Sequence, residues 1–157
     1  MNAAWGGISD EKKISLCLSA GHKTVRNILQ RKAFTVSMAD VEHVTSCDYV
    51  GLVSANDVPD KMSHAGFHTM KSTFVDAPLI DELPMALECK LLSYDEKTEI
   101  LVGEIVNVSV DEKNLDNDGN IDFSKFQPIT LDPIGGAYRK IGEKVADAFS
   151  VGASLRK

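Results

Sequence analysis

Two long runs of strand-forming residues near the middle of the chain constrain its fold more than any other feature. Residues 85–94 and 98–110 are rich in apolar and β-branched residues, and a polar turn at residues 95–97 separates them. The second run is largely apolar on one face, and Leu101 and Ile105 add apolar groups to the other. The first face consists of Ile100, Val102, Val106, Val108 and Val110. Because a strand that is apolar on both faces must be covered twice, we expect the core on one side and a second copy of the chain on the other.

A strand, a tight turn, a short helix and a second strand are predicted over residues 14–38. The apolar side chains of Ile14, Leu16 and Leu18 alternate with small side chains over residues 14–19, which is typical of a strand with one buried face. The next two residues, alanine and glycine, interrupt this alternation. The chain therefore turns immediately after its first clear strand.

The predicted helix after this turn has an N-terminus suited to an anion. Val25 and Ile28 have the spacing of one helical face, and Thr24 is the expected N-cap. Unpaired backbone amides at a helix start, with His22 and Lys23 beside them, would bind a phosphate. An exposed helix N-terminus contributes only about 0.3–1 kcal/mol, whereas a micromolar ligand requires roughly 8 kcal/mol. A ligand bound here must therefore gain most of its affinity from a large buried ring.

The remaining periodic segments predict one more strand and two more helices. Residues 33–38 alternate as a strand, and residues 39–54 have helical spacing with Asp40 as the capping residue. Residues 141–151 are predicted as an amphipathic helix with Val145, Ala148 and Phe149 on one side. Together these elements predict a single, mainly β domain over residues 1–157, with a few flanking helices.

Composition excludes several classes of function. The formal net charge of −6, with no basic run to offset it, argues against nucleic acid as the main partner. No apolar run is as long as a membrane span, and no signal peptide is visible at the start. Cys17, Cys47 and Cys89 are odd in number and widely spaced, which favours reduced thiols over disulfides or a zinc site. A cytoplasmic location is therefore expected.

An acidic segment at residues 114–125 superficially matches a calcium-binding loop. With Gly119 at the sixth position, the residues at ligand positions are Asn114, Asp116, Asp118 and Asp122. The twelfth position, where such loops require a bidentate glutamate, is Lys125. The segment is therefore interpreted as a solvated acidic turn. The four histidines also lack metal-ligand spacing on a helix, so no metal site is predicted.

Glu88 and Glu104 lie within the two long apolar strands. An ionised carboxylate in such a strand requires a hydrogen-bonding or charged partner. A structural role is favoured over that of a catalytic acid, because paired carboxylates inside strands are more often structural.

An ordered set of motifs resembles the flavin reductase-like family of FMN-binding split β-barrels, most closely its flavoredoxin-type members. In chain order, the segments that carry the resemblance are NAAWGGI, SAGHKTVRNI, RKAFTV, CDYVGLVS, the pair Asp60-Lys61, KSTFVDAPLIDELPMALECKLL, LVGEIV and YRKIGEKVADAFSVG. They span nearly the whole chain, and their order makes the set specific. The resemblance implies a Greek-key split barrel that binds FMN at a homodimer interface.

The resemblance also implies which residues contact FMN. The ribityl chain and ring would be lined by Asn2, Ala3, Ala4 and Trp5, the phosphate would be bound by Ser19, Lys23 and Thr24 with His22 adjacent, and further contacts would come from Ser54 and Lys61. No catalytic side chain is identified, because the redox chemistry belongs to the flavin.

Two departures from the family pattern bear on function. The family usually has a strand before its first motif, whereas this sequence begins at the motif, so either leading residues are missing or the barrel lacks a strand. Many reductase members carry a histidine where this chain has Thr98. The resemblance therefore favours a flavoredoxin-like electron carrier with a nicotinamide or protein electron donor. The alternatives are an NAD(P)H-dependent reductase of free flavin and a binding module that has lost its cofactor.

Overall fold

The computed structural model describes residues 1 and 5–156, which form nine β-strands and three α-helices. The strands are β1 (Gly6–Asp10), β2 (Lys13–Cys17), β3 (Ala33–Ser37), β4 (Thr69–Lys71), β5 (Pro78–Ile80), β6 (Met85–Asp95), β7 (Ile100–Val110), β8 (Ile129–Asp132) and β9 (Ala137–Lys140). The helices are α1 (Lys23–Arg31), α2 (Val44–Leu52) and α3 (Lys61–His64), with 3-10 turns at Glu112–Asn114 and Val151–Leu155. None of the described helices is long and apolar enough to cross a membrane.

Five strands form one antiparallel sheet in the order β1-β2-β7-β6-β3. The long hairpin β6–β7 lies at its centre, and its register pairs Tyr94 with Leu101. Strand β2 lies against β7 with Leu16 opposite Leu101. The pairs β4–β5 and β8–β9 form separate two-stranded sheets. The predicted mainly β architecture with flanking helices is therefore confirmed, and the two long predicted strands are its centre.

The main core lies between this sheet and helix α1. Alternate residues of β2 face it, as the period of two predicts, and α1 contributes the apolar residues spaced along one face. Its buried members are Ile14, Leu16, Leu18, Val25, Ile28, Phe34, Leu87, Cys89 and Leu101. Helix α1 packs against β3 and β6 and shares this core with β2. This packing fixes the turn between β2 and α1, and so fixes the start of the helix in space.

The face of β7 that packs into the main core is the one with fewer apolar residues in the sequence, the face of Leu101 and Ile105. Leu101 is fully buried, and a Cβ at Gly103 would come within 2.3 Å of the Phe34 ring. The Phe34 ring therefore occupies the space that a side chain at Gly103 would need, and Ile100 on the opposite face remains 45% exposed.

The predicted alternation along the whole of β7 is wrong in one respect. The register with β6 shifts between Glu88 and Cys89, so the residues before and after this point do not share one continuous face. Val106 at this point packs against a second, smaller cluster. That cluster consists of Ala33, Val75 and Ala77. The connection between β4 and β5 therefore covers part of the sheet that the core does not.

Helix α2 is shorter than the predicted helix over residues 39–54. It begins at Val44, and Asp40 lies in the turn before it. There the Asp40 carboxylate accepts hydrogen bonds from the backbone amide and the ring Nδ1 of His43, each at 2.8 Å. Asp40 thus satisfies donors that precede the helix, as an Asx turn does.

The predicted amphipathic helix over residues 141–151 is wrong. This part of the chain has no α-helix: residues 148–150 form a turn, and the 3-10 turn Val151–Leu155 follows. Val145 is 98% exposed and Phe149 is 104% exposed. An amphipathic helix depends on a surface that buries its apolar side, and the described part of the chain presents none to this segment.

Candidate functional site

The candidate site is built around the turn that joins β2 to α1. The amide of Leu18 donates to the carbonyl of Glu99 at 2.8 Å, and the amide of Ala20 donates to the Glu99 carboxylate at 3.2 Å. The Tyr94 hydroxyl donates to the Leu18 carbonyl at 2.8 Å. The end of the β6–β7 hairpin therefore holds this turn on two sides and positions the first turn of α1.

Helix α1 begins at Lys23, one residue before the predicted cap. Its N-cap is His22, which has extended backbone angles and makes no side-chain capping hydrogen bond. Thr24 is therefore not the cap. It is the second residue of the helix, and it is half-buried. The first amides of a helix have no carbonyl partner inside the helix, so those of Lys23 and Thr24 can bind an anion.

A second segment, the loop between α2 and α3, reaches this helix start. The Lys23 ammonium donates to the carbonyl of Ala55 at 3.2 Å. One turn further along α1, the Arg26 guanidinium donates to the side-chain carbonyl of Asn56. Ser54 lies in the same loop, and its hydroxyl accepts the amide of Asn56 at 3.1 Å. The fold thus brings Ser54 beside the predicted phosphate residues.

The sequence-predicted phosphate residues fit a phosphate by their chemistry. Ser19, His22 and Lys23 are exposed, so their polar groups can bind a ligand without loss of a buried contact. The set combines an ammonium, hydroxyls and helix-start amides, which are the usual donors to phosphate oxygens. Sequence reasoning missed Arg26 and Asn56, whose contact joins positions thirty residues apart; their only sequence signal is that Arg26 lies within the motif SAGHKTVRNI.

Lys61, another predicted cofactor contact, lies buried behind this loop. Its ammonium donates to the carbonyls of Val50 at 2.6 Å and Val53 at 2.7 Å. These carbonyls lie at the C-terminal end of α2, where helices lack internal donors. Burial lowers the pKa of Lys61. The side chain thus fixes the end of α2 from which the Ser54 loop departs, and its contact with a cofactor stays a prediction.

Trp5 lies next to the end of β2. Its carbonyl accepts the amide of Cys17 at 2.9 Å, and its side chain is 58% exposed. The flat indole is therefore available at the surface. The Trp5 backbone is bonded to Cys17, which precedes Ser19 by two residues. The other predicted ring contacts, Asn2, Ala3 and Ala4, lie outside the residues that the structure describes.

The two strand carboxylates have different surroundings. Glu88 is 1% exposed and accepts hydrogen bonds from the hydroxyl of Ser109 at 2.6 Å, the side-chain amide of Asn107 at 2.7 Å and the hydroxyl of Ser72. Burial raises its pKa, but these three donors outweigh burial and hold the pKa of Glu88 below its ordinary value. Glu104 is exposed on β7. Glu88 thus has the partners that a structural carboxylate requires, although all three are neutral.

Two carboxylates of the acidic loop accept hydrogen bonds from within the loop. Asp116 accepts the amides of Asp118 at 2.9 Å and Asn120 at 2.8 Å, and Asp122 accepts the amide of Ser124 at 2.8 Å. Within residues 1 and 5–156, no group of three or more His, Cys, Asp or Glu side chains is placed to hold a metal ion. These contacts are those of a turn stabilised by Asx hydrogen bonds.

Comparison with known proteins identifies the class to which this fold and site belong. The profile of the flavin reductase like domain matches residues 8–133, so the chain belongs to the flavin reductase-like family. The fold is the split barrel of that family, and membership supports a flavin-related redox function.

Two solved flavoredoxins are similar over nearly the whole chain. Flavoredoxin of Desulfovibrio vulgaris (Miyazaki F) is 38% identical with a TM-score of 0.89, over 96% of this chain and 82% of that one. Flavoredoxin from Methanosarcina acetivorans is 25% identical with a TM-score of 0.87, over 98% of this chain and 83% of that one. An FMN-binding domain of a flavin reductase-like enzyme from Shewanella baltica OS155 shares the fold, with 22% identity and a TM-score of 0.82 over 92% of this chain and 80% of that one.

One curated relative is longer than this chain. An uncharacterised protein of Aquifex aeolicus (strain VF5) is 31% identical over 120 residues, which are 73% of this chain and 58% of that protein. The match thus spans less than two thirds of the relative's length.

Proposed function

We propose that this chain binds FMN and mediates electron transfer, as a flavoredoxin-like protein. The observation that carries this proposal is the convergence of two segments, the start of α1 and the Ser54 loop, on one exposed group of phosphate donors. Lys23 links the two segments directly through the Ala55 carbonyl. The name of the Desulfovibrio vulgaris relative, at 38% identity, supports the redox role.

The phosphate of FMN would be bound by Ser19, Lys23 and Thr24, with His22 beside them. The indole of Trp5, which is exposed and whose backbone is bonded to the end of β2, would cover the flavin ring. Bound flavin would supply the electron-accepting ring, and the chain would hold and orient it and exclude water. The ring contributes the apolar contact area that the phosphate contacts alone lack.

A homodimer is the second part of the proposal. On the sheet face opposite the core, Cys17 on β2 pairs with Ile100 on β7, and Ile100 is 45% exposed. Leu92 on the neighbouring strand β6 is 52% exposed. We name Cys17, Leu92, Ile100 and the adjacent Val102 the outer strand face. A second copy related by a two-fold axis would cover this face, as a strand apolar on both sides requires.

An electron carrier is favoured over a reductase of free flavin by the β6–β7 turn. Thr98 stands where many reductase members carry a histidine, and its amide donates to the Asp95 carboxylate at 3.3 Å within the turn. Threonine has no group that titrates near neutral pH, so the turn supplies no imidazole to a nicotinamide.

The flavin content of the purified protein tests this proposal. We expect yellow protein that releases FMN, identified by its mass, when it is denatured, and that can be reduced and reoxidised in repeated cycles. NADH or NADPH oxidation, followed with and without added free FMN, separates carrier from reductase. Protein that stays colourless after incubation with FMN would contradict the proposal. Rapid reduction of free FMN by NADH or NADPH would show that the protein is a flavin reductase and not an electron carrier.

A further inference from the structure

The C-terminal arm comprises residues 141–156, and beyond its first residue it makes no polar contact with the rest of the described chain. The amide of Ile141 donates to the carbonyl of Pro128 at 2.9 Å. Beyond Ile141, every hydrogen bond and ion pair that the described arm residues make joins two residues of the arm. Examples are the ion pair between Lys144 and Asp147 and the bond from the Val151 amide to the Asp147 carbonyl at 3.3 Å.

Five large apolar side chains of the arm are exposed. The exposed fractions are 56% for Ile141, 98% for Val145, 104% for Phe149, 66% for Val151 and 84% for Leu155. Single exposed apolar side chains are ordinary, but five within one short segment mark an interaction surface. The described remainder of the chain does not cover them.

We propose that the arm of each copy packs onto a second copy of this chain. This inference rests on the proposed homodimer and names the segment that exchanges between its subunits. We call the part of the chain before the arm, residues 1–140, the body. In a pair of copies related by a two-fold axis, the body of each copy would receive the arm of the other, so one symmetric arrangement covers both arms.

The arm itself has no net charge. Residues 141–156 contain two basic and two acidic residues, whereas the full chain has a net charge of −6. Burial of apolar side chains, and not charge attraction, would therefore hold the arm on a second copy.

The area is also sufficient for a stable dimer. Burial of one Val, Leu, Ile or Phe side chain removes about 60–120 Å² of apolar surface. Ten such side chains, five from each arm, would bury roughly 600–1,200 Å², and the surface that they cover adds a comparable amount. The total reaches the roughly 1,200–2,000 Å² of specific, stable interfaces.

Polar replacement of the two most exposed arm residues tests the proposal. We expect Val145→Ser with Phe149→Ser to weaken dimerisation at least about tenfold, measured by sedimentation velocity over a range of concentrations. Ile134→Ser is the matched control, because Ile134 is 99% exposed but lies in the β8–β9 turn outside the arm. The control should dimerise as the unsubstituted protein does. FMN affinity measured on the same samples reports separately on the flavin site.

Photo-crosslinking identifies the surface that receives the arm. With a photoreactive amino acid in place of Val145, in a mixture of ¹⁴N- and ¹⁵N-labelled protein, we expect crosslinked peptides that join an arm of one label to a body of the other. Crosslinks confined to one label, or an unchanged dimer in the double variant, would overturn the arm proposal and leave the dimer standing. A monomeric unsubstituted protein would overturn both. Arm-dependent binding to phosphatidylserine vesicles with an unchanged dimer would assign the arm to a membrane surface instead.

Discussion

Glu88→Ala is expected to lower the free energy of unfolding of the flavin-free protein by about 3–5 kcal/mol. The substitution removes a buried side chain and leaves the donors of Ser72, Asn107 and Ser109 without their acceptor. The Ser72 hydroxyl also accepts the amides of Phe74 and Val75, each at 3.0 Å. The loss therefore spreads to the β4–β5 connection that covers the second cluster.

Urea unfolding measures this effect, with Glu104→Ala as the control. Glu104 is a carboxylate on the same sheet, but it is exposed, so its removal should cost less than about 0.5 kcal/mol. Equal losses in the two variants would show that the hydrogen bonds to Glu88 contribute nothing to stability.

The pH dependence of the free energy of unfolding is a second test of the contribution that the hydrogen bonds to Glu88 make to stability. Because the pKa of Glu88 is lowered in the folded protein, its contribution is fully present above the ordinary glutamate pKa. It is lost as the pH falls below about 4.3 and through the lower folded value. Glu88→Gln cannot titrate, so the stability difference between the unsubstituted protein and this variant should shrink between pH 7 and pH 3.

The second large effect concerns the candidate phosphate site. Lys23→Ala combined with Thr24→Ala is expected to weaken FMN binding at least about 100-fold, equal to about 2.7 kcal/mol. Hydrogen bonds to a charged group contribute about 1.5–3 kcal/mol each, and this variant removes an ammonium and a hydroxyl. Folding should change little, because Lys23 is exposed and Thr24 is half-buried. FMN titration and urea unfolding measure the two quantities.

Lys12→Ala controls for the loss of one positive charge. Lys12 is exposed in the turn between β1 and β2, at the other end of β1 from Trp5. This variant should keep the FMN affinity of the unsubstituted protein. Similar losses of affinity in both variants would indicate a general electrostatic effect and no specific contact at the helix start.

The sequence predicts the sheet well where apolar residues alternate without interruption. Ile14, Leu16 and Leu18 are buried as their spacing requires, and the β6–β7 hairpin forms where its two apolar runs and polar turn predict it. These features depend on residues that are close in sequence. The predicted positions of Lys23 and Thr24 at a helix start likewise follow from local pattern.

Features that depend on distant contacts could not be predicted. The register shift beside Glu88 and its bonds to Ser72 and Ser109 join three segments that only the fold brings together. The Arg26–Asn56 contact has the same origin. The amphipathic spacing in residues 141–151 predicted a helix, but spacing specifies an apolar side and not the surface that buries it.

The central claim is that the phosphate of FMN binds at the start of α1. Riboflavin has the same ring and lacks this phosphate, so its affinity isolates the contribution of the site. The most direct measurement compares the dissociation constants of FMN and riboflavin for the flavin-free protein by fluorescence titration. We expect FMN to bind at least about 100-fold more tightly, equal to about 2.7 kcal/mol. Equal affinities for the two flavins would contradict the claim.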